Sequence, residues 1–387
     1  MPLFKLSHVT AGFIAILVGY TSSVAIIFQA IDRLGATPAQ ANSWMLMLGL
    51  GMGLSTIFLS LRTRMPVMTA WSTPGAALIA LGSGITLPEA TGAFLFCAVL
   101  LVATGLSGWF DKVARLVPDS LANAMLAGIL FSFGIKIFDG LQTDAALVAV
   151  MVATYLVMKR YAPRYAIAVV FLTGLAFVAA TGGFAGASLP LSLAMPVFVM
   201  PELSLPALIG LGLPLYLVTM SSQNMPGVVT LRADGYEPNI GQAITVTGVV
   251  SLVLAPFGGY AFNLAAITAA ICTGPDADDN PATRYKAAVF AGLFYSIVGL
   301  MGATVIGLFL ILPTALVLTI AALALLGTIG NSLSSALAPR GEREAALVTF
   351  MATASGFSLF GIGAPFWALL FGLVVRFALH RPGPATA

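Results

Sequence analysis

The residues best placed to do chemistry in this chain are amides and hydroxyls set inside apolar runs. Gln223 and Asn224 are neighbours in one such run, Thr219 stands one helical turn before Gln223, and Asn263 lies within another run, "APFGGYAFNLAAITAAI". A further group is Ser72-Thr73-Pro74-Gly75. Amide, hydroxyl and open backbone N–H groups donate hydrogen bonds, so this set suits the oxygens of an anion, most simply a carboxylate. Catalysis would need an acid, base, nucleophile or metal cluster. The chain has two His (His8 and His380), two separated Cys (Cys97 and Cys272) and no Asp, Glu or His well inside a predicted span. No enzyme activity, metal or other cofactor is therefore expected.

The elements that must hold these groups are membrane spans. Of 387 residues, 59% are hydrophobic and 8% charged, and mean hydropathy is +1.02, far from the soluble globular range. Charges cluster and leave gaps long enough to cross a bilayer, as between Lys5 and Asp32 or Arg164 and Glu202. A span needs roughly 20 apolar residues. The pattern predicts an all-α polytopic membrane protein with spans at 10–31, 38–60, 66–82, 88–108, 119–138, 143–159, 164–181, 205–231, 238–255, 257–273, 284–310, 313–335, 343–359 and 363–379. If both termini are cytoplasmic, nearly all Lys and Arg fall on that side, with only Arg33 and Lys136 opposite, as the positive-inside rule requires. The net charge of +3 thus serves topology, and nucleic acid is not an expected partner.

Halved near residue 195, each part carries a long span containing Ser-Ser, a second span, and then a segment broken in mid-membrane. The breaks are "MPVMTAWSTPGAALIALGS" (Met65 to Ser83) and the run around Asn263. Seven spans per half would invert the second repeat, 196–387, relative to the first, 1–195, and paired interrupted spans are the mark of secondary transporters. Pro66 to Ser72 and Gly258 to Phe262 are expected to be short extended strands that pair with each other, since backbone in hydrocarbon must be hydrogen-bonded. Half-helices follow, one capped by Ser72 or Thr73 with Pro74 at the first helical position, the other capped by Asn263. Both N-termini would face one anion-binding space.

The strings "LSHVTAGFIAILVGYTSSVAIIFQA", "PVMTAWSTPGAALIA", "SSQNMPGVVTLRADGY" and "PFGGYAFNLAAITAAICTG" carry a resemblance along nearly the whole chain. The sequence resembles the bacterial benzoate/proton symporters, the BenE family, and more distantly the uracil-permease and anion-exchanger fold of seven plus seven inverted spans. The resemblance implies core spans 1–4 (about 8–110) and 8–11 (about 204–311), and gate spans 5–7 (about 118–182) and 12–14 (about 313–380). It also implies benzoate or a related aromatic carboxylate and a proton as partners, in the bacterial cytoplasmic (inner) membrane among its lipids. A homodimer is one assembly such a carrier could form. Where the nucleobase branch places two Glu, this chain has Thr219 and Asn263. Loss of both carboxylates fits an anionic cargo, which they would repel.

Thr219, Gln223 and Pro226 are spaced to share a helix face. On span 1, Tyr20 and Ser23 are polar groups in an aliphatic run, for which bonding to the i−4 carbonyl is the plainer role. Trp71, Tyr260 and Phe262 flank the breaks and could form a flat slot for an aromatic ring. With no protein carboxylate or His at depth, the proton is expected on the substrate carboxyl or a water beside it. Alternatives are a permease or exporter for another small organic acid or a nucleobase, and an anion channel. "PDADDNP" (Pro275 to Pro281) lacks the spacing of a calcium loop. "GWFDKVARLVP" (Gly108 to Pro118) has the pattern of a short amphipathic surface helix.

Overall fold

A computed structural model describes residues 5–82, 84–110, 118–182, 193–275, 277–359 and 362–379. The expected amphipathic helix at 108–118 falls mostly outside these residues, as does His380. The first half contains α1 (Leu6–Arg33), α2 (Pro38–Thr63), β1 (Thr69–Ala70), α3 (Thr73–Leu81), α4 (Leu87–Ser107), α5 (Asp119–Gly134), α6 (Ile137–Thr143), α7 (Ala145–Tyr161) and α8 (Ala166–Ala180). The second contains α9 (Leu205–Arg232), α10 (Ile240–Leu254), β2 (Asn263–Leu264), α11 (Ile267–Thr273), α12 (Tyr285–Leu300), α13 (Gly302–Ile311), α14 (Thr314–Leu337), α15 (Arg343–Ala354), the hairpin β3 (Ser358–Leu359) and β4 (Ile362–Gly363), and α16 (Ala364–Leu379). Among the described residues, six helical stretches are long and apolar enough to cross a bilayer. A seventh is α1 if it counts as one span bent by 43° between Tyr20 and Ser23. The chain is a polytopic membrane protein.

Local chemistry sets the helix ends. Thr37 caps α2 and shares a capping box with Gln40, with Pro38 in the first turn, while Thr86 and Glu89 do the same for α4. Reciprocal bonds of this kind satisfy N–H groups that the helix itself leaves open. In α9, wide π-helical turns at Leu208–Gly212 and Met220–Asn224 precede Pro214 and Pro226. A proline has no N–H to donate and its ring crowds the carbonyl four residues back. Loosening the preceding turn relieves that crowding.

The helices pack in two groups. One contains α1, α3, α2 with α12, and α4 with α10; the other contains α14 on α5, α15 on α16 and α5, and α7 on α8. The seam of α2 and α12 is made of small residues. A Cβ added to Gly49 would stand 2.7 Å from the Tyr295 carbonyl oxygen, and one added to Gly299 would stand 2.9 Å from the Gly49 Cα. Without water to drive association, membrane helices gain from such close backbone approach.

The two breaks meet as expected. β1 pairs antiparallel with β2, Thr69 opposite Leu264 and Ala70 opposite Asn263, and the Ala265 N–H extends the pairing to the Met68 carbonyl at 2.9 Å. Three details of the expectation are corrected. The second strand is Asn263–Leu264 rather than Gly258 to Phe262, because Ala255–Phe257 forms a 3-10 turn ending on Gly258 at φ +100°. Asn263 consequently does not cap α11. It lies in β2 with its Nδ2 turned back to the Ala261 carbonyl at 2.9 Å, and the N-cap position falls to Ala266. In the first break Ser72 is the N-cap of α3, its Oγ accepting from the Gly75 N–H at 3.0 Å, so that Thr73 opens the helix and Pro74 is second.

Each half-helix is tied at its far end by an arginine. Arg33 Nε donates to the Gly82 carbonyl at the end of α3 (2.6 Å), and Arg284 Nη1 donates to the Thr273 carbonyl at the end of α11 (2.7 Å). Cations there satisfy open carbonyls and complement the helix dipole. The Arg284 loop is also fastened to α1. Asp278 meets Lys5 Nζ at 2.7 Å and Thr283 Oγ1 at 2.7 Å, and His8, whose Nδ1 accepts the Lys5 N–H, donates from Nε2 to Asp278 at 2.8 Å. Above all the Lys5 ammonium, then the Thr283 hydroxyl, holds the Asp278 carboxyl well below the usual carboxylate range.

The glycine seam yields a stability test. Gly49→Leu forces a side chain against backbone that cannot rotate away, at about 1–3 kcal/mol or more. The expected outcome is a lower midpoint of heat-induced aggregation in detergent than for wild type. An unchanged midpoint would mean the α2–α12 contact does not hold the fold.

Candidate functional site

Beside the strand pair lies a cavity of about 720 Å³, within the range of small-molecule sites. It runs from partly buried Ala70 and buried Trp71 toward the exposed ends of α7 and α14, where Lys159, Asn331 and Ser335 border it. The inner wall is built from the bend in α1, the junction of β1 and α3, the π turn of α9, and the start of α11.

The junction of β1 and α3 supplies Thr73, which follows the Ser72 cap directly. Gly75 and Ala76 spend their N–H groups on Ser72 Oγ and O and Pro74 has none. The Thr73 N–H is thus the donor that this turn leaves open, beside the Thr73 hydroxyl. The start of α11 differs, because Ala266 provides no side-chain cap. Residues 265–268 line the cavity; the Ala265 N–H is spent on the Met68 carbonyl, and the first turn of α11 after it has no side-chain cap. The π turn of α9 brings Ser221, Ser222 and Gln223 to the same wall. Ser221 donates to its i−4 carbonyl at 2.7 Å. Gln223 has no side-chain partner among the described residues, leaving both ends of its amide for a guest.

Of the candidate residues, Ser23, Trp71, Thr73 and Gln223 line this cavity. Trp71 donates from Nε1 to Ser23 Oγ at 2.9 Å, and Ser23 donates to the Gly19 carbonyl at 2.9 Å. The bond that Ser23 makes to its own helix therefore also orients the indole. Tyr20 packs edge-on to Trp71, ring centroids 4.9 Å apart, behind the cavity wall. Its hydroxyl is buried without a hydrogen-bond partner among the described residues.

The remaining five residues hold the break instead of facing the cavity. Thr219 Oγ1 reaches Ser72 Oγ at 3.4 Å, and Asn224 Oδ1 accepts from the Leu264 N–H at 2.9 Å. Thr219 and Gln223 do not share a face, since the wide turn at Met220–Asn224 shifts the four-residue spacing. Tyr260 stacks with Trp44 and Phe94 and donates to the Ser72 carbonyl at 3.3 Å. Phe262 is buried, its N–H on Ser251 Oγ at 2.9 Å. Asn263 is buried with Oδ1 unpartnered among the described residues.

Sequence reasoning missed residues that come from distant spans. Tyr295 of α12 and Thr268 of α11 line the inner end, and Tyr155 and Asn123 lie on the opposite wall with Asn331 and Ser332. A polar residue in an otherwise aliphatic span was the available signal for Tyr295, but many such residues only bond their own helix. The aromatic wall is therefore Trp71 with Tyr295, where Trp71 with Tyr260 and Phe262 was expected. No Asp or Glu occurs among the described lining residues, and Lys159 is their one formal charge. Such a chamber can take an aromatic anion, ring against Trp71 and Tyr295 and oxygens toward Gln223, Thr73 and the start of α11.

Two solved structures share the fold. Murine Slc26a9, an anion transporter in an inward-facing state, superposes with a TM-score of 0.66 at 14% identity, over 98% of this chain and 69% of that one. The transmembrane domain of the cyanobacterial bicarbonate transporter BicA gives 0.58 at 13% identity, over 97% and 96%. The inner membrane protein YdcO of Escherichia coli (strain K12) is 45% identical over 383 residues, 98% of each chain. The benzoate membrane transport protein of Acinetobacter baylyi (strain ATCC 33305 / BD413 / ADP1) is 37% identical over 380 residues, 98% of this chain and 96% of that one. Residues 3–378 match the family model described as benzoate membrane transport protein, and the chain belongs to that family, BenE.

Proposed function

We propose that this chain is a secondary active transporter that imports benzoate, or a closely related aromatic carboxylate, together with a proton. The observation that carries the reading is the cavity at the strand pair, which joins an aromatic wall to neutral hydrogen-bond donors and has no carboxylate among its described lining residues. The name of the Acinetobacter relative supports benzoate as the cargo, while the likeness to anion-carrier structures supports the fold alone. Fourteen spans form two inverted repeats, 1–195 and 196–387, and the termini are cytoplasmic. The two packing groups of helices act as core and gate, and alternating access comes from their relative motion. Since Lys159 and Ser335 fall on the predicted cytoplasmic side, the cavity faces inward.

Magnitudes argue for proton coupling. Taking a carboxylate out of water costs several kcal/mol even after relaxation, and charge-assisted hydrogen bonds return about 1.5–3 kcal/mol each. Gln223, Thr73 and one or two backbone N–H groups roughly balance that cost and leave little surplus. Protonation removes most of the penalty. Desolvation raises a carboxyl's pKa from its ordinary value of about 4.3, so a substrate entering the chamber gains affinity for a proton without help from a protein acid. A channel of the same shape would not require this coupling.

Four measurements test the reading. Gln223→Ala should raise the KM for benzoate uptake about 10- to 100-fold, the worth of one bond to a charged group, with membrane expression intact. Asn224→Ala should behave differently, because it strips the acceptor from the buried Leu264 N–H. A loss of about 1–3 kcal/mol of stability should appear in thermal aggregation, and unchanged heat tolerance would remove Asn224 from the support of the break. In proteoliposomes, inward benzoate should carry protons with it, and labelled uptake should rise when unlabelled benzoate is trapped inside. Net negative current without proton entry, or no such counterflow, would contradict symport. Competition by substituted benzoates, acetate and uracil in the same assay separates aromatic acids from the alternative cargoes.

A further inference from the structure

Every donor on the inner wall of the cavity is neutral, whereas the far end carries Lys159, the one formal charge among the described lining residues. Lys159 lies in the last turn of α7 and is exposed, and Tyr155, one turn earlier, borders the same space. A single positive charge at the opening of a low-dielectric chamber focuses its field into that chamber and raises the local concentration of anions. It also sits on the helix group opposite to the breaks, since α7 packs against α8 and α14. Its distance from the neutral donors therefore changes whenever the two groups move past one another.

We propose that Lys159 is the charge-selecting residue of this carrier, attracting the ionised form of an aromatic carboxylate to the cavity mouth and disfavouring neutral and cationic ring compounds there. The inference rests on the proposed function and adds to it which group reads the charge. The neutral donors recognise the shape and hydrogen-bonding pattern of the carboxyl, and Lys159 supplies long-range attraction. Through largely aqueous surroundings a unit charge shifts affinity roughly two- to tenfold, and that part is screened by salt.

The test is equilibrium binding of labelled benzoate to the purified full-length protein, at about 20 mM and about 300 mM salt, where the Debye length is roughly 20 Å and roughly 6 Å. Wild type should bind more weakly at high salt. Lys159→Gln should bind roughly two- to tenfold more weakly at low salt and lose most of the salt dependence, and Lys159→Arg should restore both. Benzamide, the neutral analogue, should compete equally poorly against either protein. Wild-type affinity and salt response in Lys159→Gln would overturn the role of Lys159 and leave the proposed function standing. Failure of wild type to bind benzoate under either condition would overturn the proposed function, and this inference with it.

Discussion

Two short stretches of extended backbone, buried where there is no water to satisfy them, are the constraint on which the rest of the structure depends. An unpaired N–H or C=O in that setting costs several kcal/mol, and the partners come from specific neighbours. Thr69 is held by Ser55, Thr56 and the Met52 carbonyl of α2 at 2.7–3.0 Å, and Ser60 Oγ donates to the Val67 carbonyl at 3.1 Å. On the second break, Ser251 of α10 takes the Phe262 N–H and Asn224 of α9 takes that of Leu264. The strands then pair with each other. Hydroxyl and amide groups of α2, α9 and α10 are consumed in this way, whereas Gln223 and Thr73 are left facing the cavity.

That division of labour is the means by which the proposed site would hold an anion without a fixed charge at its inner end. Ser72 closes the first turn of α3 on itself, while α11 begins without a side-chain cap. The open donors are accordingly concentrated beside α11, Thr73 and Gln223, whose amide has no side-chain partner among the described residues. Arg33 and Arg284, at the far ends of α3 and α11, bond the last carbonyls and keep both half-helices seated. Polarity thus runs inward along each half-helix, from an arginine-bound C-terminus to an N-terminus at the cavity.

Much of this was legible in the sequence. Charge-free gaps marked a polytopic membrane protein, and the Pro-Gly and Gly-Gly steps located both breaks, although the second strand lies beyond the Gly-Gly step at Asn263–Leu264. The placement of Asn263 was not legible, because the Ala265 N–H continues the strand pairing beyond it and one-dimensional spacing cannot register a cross-chain bond. The shared face expected for Thr219 and Gln223 failed for a related reason. A π turn adds a residue to the helical repeat, and its only trace in sequence is Pro226 shortly after it. Tyr260 and Phe262 stand at the break as expected but pack into the protein, and Tyr295 takes the place at the cavity wall. Which aromatic faces a chamber depends on helix rotation, which hydropathy does not encode.

The central claim is that one carboxylate binds at the junction of the two breaks. An experimental structure with benzoate bound tests it most directly. The account predicts carboxylate oxygens within about 3 Å of the Gln223 amide and of a backbone N–H at Thr73 or the start of α11, with the ring against Trp71 or Tyr295. Benzoate found elsewhere, with this junction filled by ordered water or side chains, would contradict it.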